Sequence, residues 1–292
     1  MTTPPLERLV VVGPGRLGLS LGMALVETGL PVGLRYHGRH PTPPDHPLFT
    51  EGWAEYRYGL ELPPEGTTAV LMTVPDDDLR EIAEALAGRG EPSPGTPVLH
   101  CSGALGAEPL EALHWRGYRV GTFHPLQAIA HPIAGARRLV GASYALSGEP
   151  EALAVARRLV TALSGRGIQI PTSRRPLYHA SAVVASNYLV VLLRIAVRWL
   201  EEAGARPEEA EQALLALARG SLQNIEEIGL DRALTGPVVR GDVDVVGLHL
   251  RTLRPDDARF YAVLGERALD MCSDRHPPEI VGALEELFRK AK

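Results

Sequence analysis

Lysine is almost missing from this chain. Of 30 basic residues among 292, only Lys290 and Lys292 are lysines. The body of the fold therefore has no lysine to form a Schiff base, and any catalysis there must use other groups. Cysteine is equally scarce, with Cys101 and Cys272 the only two, which excludes a disulfide scaffold and a cysteine-rich zinc module. Aromatic residues make up 5%, too few for a base-stacking surface. A net charge of −5 leaves no basic excess to drive nucleic-acid binding. Met1–Glu7 is polar and proline-rich and does not read as a secretion signal. The longest stretch without Asp, Glu, Lys or Arg, Pro176–Leu193, carries His179, Ser181, Ser186 and Asn187. It reads as a buried core helix rather than a membrane span. A cytoplasmic protein without a membrane or nucleic-acid partner is expected.

What is present is an alternation of strand and helix signals. Arg8–Gly13 is a continuous apolar run, as in a buried parallel strand. Leu17–Thr28 has helical spacing and stops at Gly29. Pro31–Tyr36, Thr67–Val74, Thr96–Cys101, Arg119–Phe123, Ser143–Leu146 and Ile168–Ile170 read as further strands. Residues 37–64, rich in Pro, Gly and His, read as an irregular connection with short pieces. Leu79–Leu86 and Glu151–Ser164 read as helices, with Asp76–Asp78 where a helix N-terminus favours carboxylates. This alternation predicts a parallel sheet covered on both faces. Beyond Thr172 only helices are predicted: 177–203, 207–228, 255–272 and 277–290. Two domains follow, 1–172 and 173–292.

The strongest local motif is Gly13-Pro14-Gly15-Arg16-Leu17-Gly18, a G-x-G-x-x-G pattern between a strand and a helix at the start of the chain. Gly13 suits the tight turn, Gly15 lets the backbone approach a pyrophosphate, and Gly18 lets helix and strand pack closely. The helix N-terminus offers free N–H groups to phosphates. NAD binders usually place a carboxylate about 20 residues further on. Here that window reads Gly33–His40 and has none, whereas Arg39, with His37 and His40 nearby, suits a 2′-phosphate. NADP is expected rather than NAD. His37, His40 and His46 fit no firm metal-ligand spacing, and no metal is expected.

Six segments carry a family resemblance: Val12–Gly18, Val74–Asp76, His100–Ala104, Gly121–Gln127, Tyr178–Asn187 and Leu234–Asp242. On these the chain resembles the superfamily of two-domain NAD(P)-dependent enzymes that includes 6-phosphogluconate and 3-hydroxyisobutyrate dehydrogenases and ketopantoate and pyrroline-5-carboxylate reductases. More narrowly, it is similar to bacterial Rossmann-like proteins with a helical C-terminal domain of unknown function. These are often labelled NADP oxidoreductases, sometimes with a deazaflavin partner. The resemblance implies an α/β chain: a doubly wound Rossmann domain, then an all-helical C-terminal domain of the 6-phosphogluconate dehydrogenase type. It also implies a homodimer, which the apolar helical half independently suggests.

Ligands in doubly wound sheets lie beyond the carboxyl ends of the strands. Val74, Pro75 and Asp76 are expected to border the nicotinamide ribose, and Ser102 the substrate or carboxamide. His124 is the first candidate for handling the proton that accompanies hydride transfer. Cys101 lacks an evident cationic partner and reads as a small buried cysteine. His179, Val183, Ser186 and Asn187 fall within one broad helical face, and His179 and Asn187 are candidates for lining a cleft between the domains. Several relatives carry a lysine one turn before such an asparagine. Val183 stands there in this chain, so a histidine must replace that acid/base or catalysis is lost. Arg240 is a candidate for holding a substrate carboxylate, with Asp242 orienting it, and the alternative is an internal Arg–Asp brace. His249 reads as structural. The expected function is an NADP-dependent oxidoreductase acting on a small carboxylate-bearing oxo or imino substrate. The alternatives are a non-catalytic NADP-binding protein or a deazaflavin-linked NADP reductase.

Overall fold

The computed structural model describes residues 7–29, 32–90 and 93–292. The polar N-terminal stretch up to Leu6 and Pro31, the expected first residue of the second strand, lie outside them. By contacts the chain forms two compact units, Met1–Val190 and Val191–Lys292.

The first unit holds an eight-stranded sheet in the order β3-β2-β1-β4-β5-β6-β7-β8. Its strands are β1 (Glu7–Val12), β2 (Val32–Gly38), β3 (Ala54–Tyr58), β4 (Ala69–Met72), β5 (Pro97–His100), β6 (Arg119–Pro125), β7 (Ser143–Gly148) and β8 (Arg166–Gln169). Its helices are α1 (Arg16–Glu27), α2 (Pro47–Thr50), α3 (Leu79–Ala87), α4 (Glu111–Trp115), α5 (Pro132–Leu139), α6 (Pro150–Ala162) and α7 (Arg175–Val183). Successive side chains of a strand point to opposite faces, and the two cores follow from that. Leu9 and Val11 of β1 join a core with α1 and α6, while Val10 and Val12 join a core with α3 and α4 on the other face.

Two features differ from the expected all-parallel sheet. First, β7 runs antiparallel to β6. The connection after β6 places α5 against α1, where Ser20 Oγ donates to the Pro132 carbonyl (2.8 Å), instead of returning to the far end of the sheet. Tyr144 is consequently registered with Pro125, so β7 begins beside the end of β6. Second, the irregular 37–64 stretch contains β3, an edge strand held parallel to β2 and braced by an Arg35–Glu55 ion pair at 2.8 Å.

The expected division at 172/173 tracked the change from alternating elements to helices. The first unit instead extends through α7, because Arg175 of that helix is completely buried and bonded to β6 and to the loop after β5. The single helix expected over 177–203 is also interrupted: after α7 comes a π-helical turn, Val184–Tyr188, and then α8 (Leu189–Glu202). Thr172–Glu202 contains an 18-residue window with a mean hydropathy of 1.8 and is long and apolar enough to cross a membrane by length and composition alone. The expectation of a buried core helix fails for this chain by itself. Leu177 (68% exposed), Val184, Tyr188 and Val190 (67% exposed) all face outward.

The second unit is helical, as expected: the rest of α8, then α9 (Pro207–Ile228), α10 (Leu230–Ala233), α11 (Pro237–Arg240), α12 (Val243–Thr252), α13 (Pro255–Asp270) and α14 (Pro278–Ala291). Its core is built from Val238, Val246, Ala262, Leu269, Leu284 and Phe288. Gly265 is required where α13 meets α14, since a Cβ there would lie 2.4 Å from the Phe288 ring.

Candidate active site

The glycine motif takes the geometry its spacing implies. Gly13 turns at φ +100°, outside the range other residues adopt readily. A Cβ on Gly18 would stand 2.4 Å from the Gly13 carbonyl oxygen and 2.5 Å from Thr73 Oγ1, so α1 can lie this close to β1 and β4 only with glycine. Gly15 has open space where its Cβ would be, and it precedes α1 without a side-chain cap, leaving the first N–H groups of that helix free. A cavity of about 790 Å³ opens at this point. Gly13, Pro14, Gly15, Arg39, Val74 and Pro75 line it; Arg16, Leu17, Gly18 and Asp76 do not. Arg39 is exposed at its rim. His37 is buried with Nδ1 against the Gly59 carbonyl (3.0 Å), and His46 caps α2 by accepting from the Leu48 N–H. Among the described residues no His, Cys, Asp and Glu side chains gather into a metal-ligand group.

A second cluster stands at the carboxyl ends of β5 and β6, on the same edge of the sheet as the glycine turn because β1, β4, β5 and β6 are parallel. His124, at the end of β6, meets Tyr178 and His179 of α7 over Gly103. His124 Nδ1 lies 2.7 Å from the Tyr178 hydroxyl, and the His124 and His179 rings meet edge to face at 6.2 Å. A Cβ on Gly103 would be 2.6 Å from His179 and 2.9 Å from His124 Nε2, so only glycine lets the two rings approach this loop. Burial, and after it the charges of Arg175, His179 and His100, pull the His124 pKa down to about 4. Burial pushes the Tyr178 phenol the other way, so it stays protonated and is the better donor of the pair. With Tyr178 donating to Nδ1, the neutral ring of His124 carries its proton on Nε2, the nitrogen beside Gly103.

The loop after β5 is tightly held. Ser102 N–H donates to His100 Nδ1 (3.1 Å), and the other nitrogen of His100 bonds the Gly106 carbonyl. Ser102 Oγ donates to Asp76 (2.7 Å) and accepts from Leu105 N–H (3.1 Å). The Ser102 hydroxyl proton is thus engaged by Asp76, and these contacts brace the loop. Burial pushes the Cys101 thiol up to about 12, which removes the thiolate a nucleophile would need.

The structure therefore brings His124, His179, Ser102 and Asp76 together and adds Tyr178, Gly103 and Arg175. Asn187 is not part of this cluster. It lies in the π-helical turn, exposed, and the 3.6-residue face expected to join it to His179 does not run through that turn. Arg240 and Asp242, in the second unit, form the alternative brace: Nε and Nη2 both reach Asp242 Oδ2, at 2.8 and 2.7 Å. His249 Nδ1 lies 2.9 Å from the Tyr261 hydroxyl, a structural contact within the second unit. Tyr178 and Arg175 had a readable signal. Arg175, Tyr178 and His179 are spaced i, i+3, i+4, on one helical face.

Four histidines, 37, 46, 100 and 124, are held below the ordinary value of 6.5, chiefly by burial. As pH falls through 6.5 the unfolded chain takes up protons at these sites and the folded chain does not. Stability is therefore full above that value and declines below it, down to about pH 4 for His124. Each such histidine removes up to about 1.4 kcal/mol per pH unit across its window. The thermal midpoint is expected to fall steadily from about pH 7 to about pH 5. A flat profile there contradicts the buried, neutral state of these rings.

Among solved structures, protein TM1727 from Thermotoga maritima is 24% identical with a TM-score of 0.72, over 92% of this chain and 100% of that one. BF3122 from Bacteroides fragilis is 21% identical with a TM-score of 0.67, over 90% and 98%. Pyrroline carboxylate reductase from Plasmodium falciparum, solved with NADP bound, is 12% identical with a TM-score of 0.57, over 99% and 98%. These likenesses show the fold: a Rossmann-like domain followed by a helical region. More narrowly, residues 62–125 match a Rossmann-like domain, and residues 142–268 match a domain of unknown function, DUF2520. No curated protein sequence matches this chain.

Proposed function

We propose that this chain is an NADP-dependent oxidoreductase that moves a hydride between nicotinamide and a small carboxylate-bearing oxo or imino substrate. The observation that carries the reading is the His124–Tyr178 pair at 2.7 Å, on the same sheet edge as the glycine turn. The residues fit the cofactor: Gly13 and Gly18 are positions a Cβ would fill, Gly15 is open, and Arg39 at the cavity rim suits a 2′-phosphate. The Plasmodium reductase, which was solved with NADP, adds weight to this choice.

When bound, NADPH supplies the hydride. Reduction of a carbonyl or imine then needs one proton at oxygen or nitrogen. His124 supplies it from Nε2 as Tyr178 passes its hydroxyl proton to Nδ1, and solvent reprotonates the phenolate left on Tyr178. His179 borders the same space across Gly103. This arrangement takes over the task of the lysine that Val183 replaces. The direct test is NADPH oxidation against a panel of 2-oxo acids and cyclic imino acids. Turnover of a panel member supports the reading, and NADPH binding without turnover of any favours a non-catalytic NADP-binding protein.

The homodimer belongs to the same proposal. Leu177, Val184 and Tyr188, seven and four residues apart, leave exposed apolar surface that a second copy would cover, and surface of this kind marks contacts. Light scattering is expected to give twice the 31.5 kDa chain mass. The single-chain mass removes this part of the proposal.

A further inference from the structure

Among the described residues, Arg175 is the largest side chain wholly removed from solvent. All its hydrogen-bond partners are neutral. Nη2 donates to the Ser102 carbonyl (2.6 Å), and Nη1 donates to Thr122 Oγ1 (2.8 Å) with Ser147 Oγ at 3.5 Å. Its Nε has no partner among the described residues. The guanidinium carbon lies 5.9 Å from the centre of the Tyr178 ring. A buried guanidinium without a carboxylate is costly, and an apolar side chain could fill the same space more cheaply. Packing alone does not account for a charge here.

The three contacts fall on the three elements that carry the proposed site. Ser102 adjoins Gly103, over which His124 and His179 meet. Thr122 lies two residues before His124 on β6, on the same face of the strand. Arg175 itself precedes Tyr178 and His179 by three and four residues on α7. We propose that Arg175 is the positioning residue of this site. Its fork locks the loop, the strand and the helix in register, and its unpaired charge keeps His124 uncharged. The inference rests on the reading of His124 as the proton-handling group.

The groups facing His124 agree with this. Tyr178 and His179 come from α7, and His100 from β5 is itself held neutral by burial, with Ser102 N–H donating to its Nδ1. Asp76 and Glu108 favour the charged form of Arg175 without pairing with it. After burial, the Arg175 charge is the largest influence holding His124 down.

The test is an NMR pH titration of the His124 ring in the intact chain, with the signal assigned by its loss in His124→Gln. It needs neither nucleotide nor substrate, so its failure is distinct from failure of the oxidoreductase reading. The wild-type midpoint is expected well below the ordinary histidine value. Arg175→Lys keeps the charge and is expected to leave the midpoint in place. Arg175→Met is expected to raise it by about one pH unit or more. Ser147→Asp keeps the arginine, sets a carboxylate beside Nη1 and is also expected to raise it, which decides the matter if Arg175→Met does not fold. A purely structural pin would leave the midpoint unmoved in folded Arg175→Met, and an unmoved midpoint in folded Arg175→Met or folded Ser147→Asp overturns the proposal. So does a wild-type midpoint at the ordinary value, whether or not any variant folds.

Discussion

His124→Ala is expected to lower kcat/KM for NADPH oxidation by about 10²–10⁴-fold, the usual contribution of a general acid–base group, with NADPH affinity nearly unchanged. The split follows from geometry. His124 ends β6, half-buried, with one nitrogen on the Tyr178 hydroxyl and the other beside Gly103, and it does not line the cavity at the glycine turn. Its pKa of about 4 makes it neutral at physiological pH, so it acts by hydrogen bonding and concerted transfer rather than as a standing imidazolium. Tyr178→Phe keeps the ring and loses only the hydroxyl that fixes the tautomer, so a smaller loss in the same direction is expected. Steady-state kinetics on a substrate found by the panel, alongside a nucleotide titration, measures both quantities. Full activity in His124→Ala makes the histidine a loop brace and moves the chemistry elsewhere.

Gly18→Val is expected to damage fold and binding together. Its Cβ would meet the Gly13 carbonyl oxygen at 2.4 Å, and that oxygen is backbone and cannot swing aside. The helix must move off the strand, at a cost of about 1–3 kcal/mol, and the phosphate-facing N–H groups move with it. NADPH affinity is expected to fall by at least about tenfold, since 1.4 kcal/mol lost from binding is already that factor. Gly15→Ala separates the two effects. Nothing lies within 4 Å of its Cβ, so stability is expected to change by less than about 0.5 kcal/mol. The methyl group would still occupy space that an approaching pyrophosphate needs, so affinity falls. Thermal unfolding and titration of both variants test the pair. Unchanged NADPH affinity in both variants contradicts a phosphate site at this turn.

The sheet was largely legible because its central strands are apolar on both faces, and continuous runs such as Leu9–Val12 have few other readings. The edge strand β3 was not, since Ala54–Tyr58 buries little and sits among Pro, Gly and His. The reversal at β7 was hidden because strand direction is set by where α5 packs, and α5 is a helix of only eight residues. At the site, Ser102, His124 and His179 were readable as polar residues at strand ends or within an apolar helix. Tyr178 and Arg175 were visible only as helical neighbours of His179. Arg175 stands beside Arg174 and a proline, in a stretch that looks like a charged linker until its burial is seen. The 3.6-residue spacing that joined Asn187 to His179 does not hold through the π-helical turn, which changes the register.

The most direct test of the nucleotide reading is a calorimetric titration of the ligand-free protein with NADPH and, separately, NADH. NADPH is expected to bind clearly more tightly than NADH, and Arg39→Ala is expected to weaken NADPH while leaving NADH in place. Failure of both nucleotides to bind would contradict the account at its centre and leave the glycine turn to another ligand.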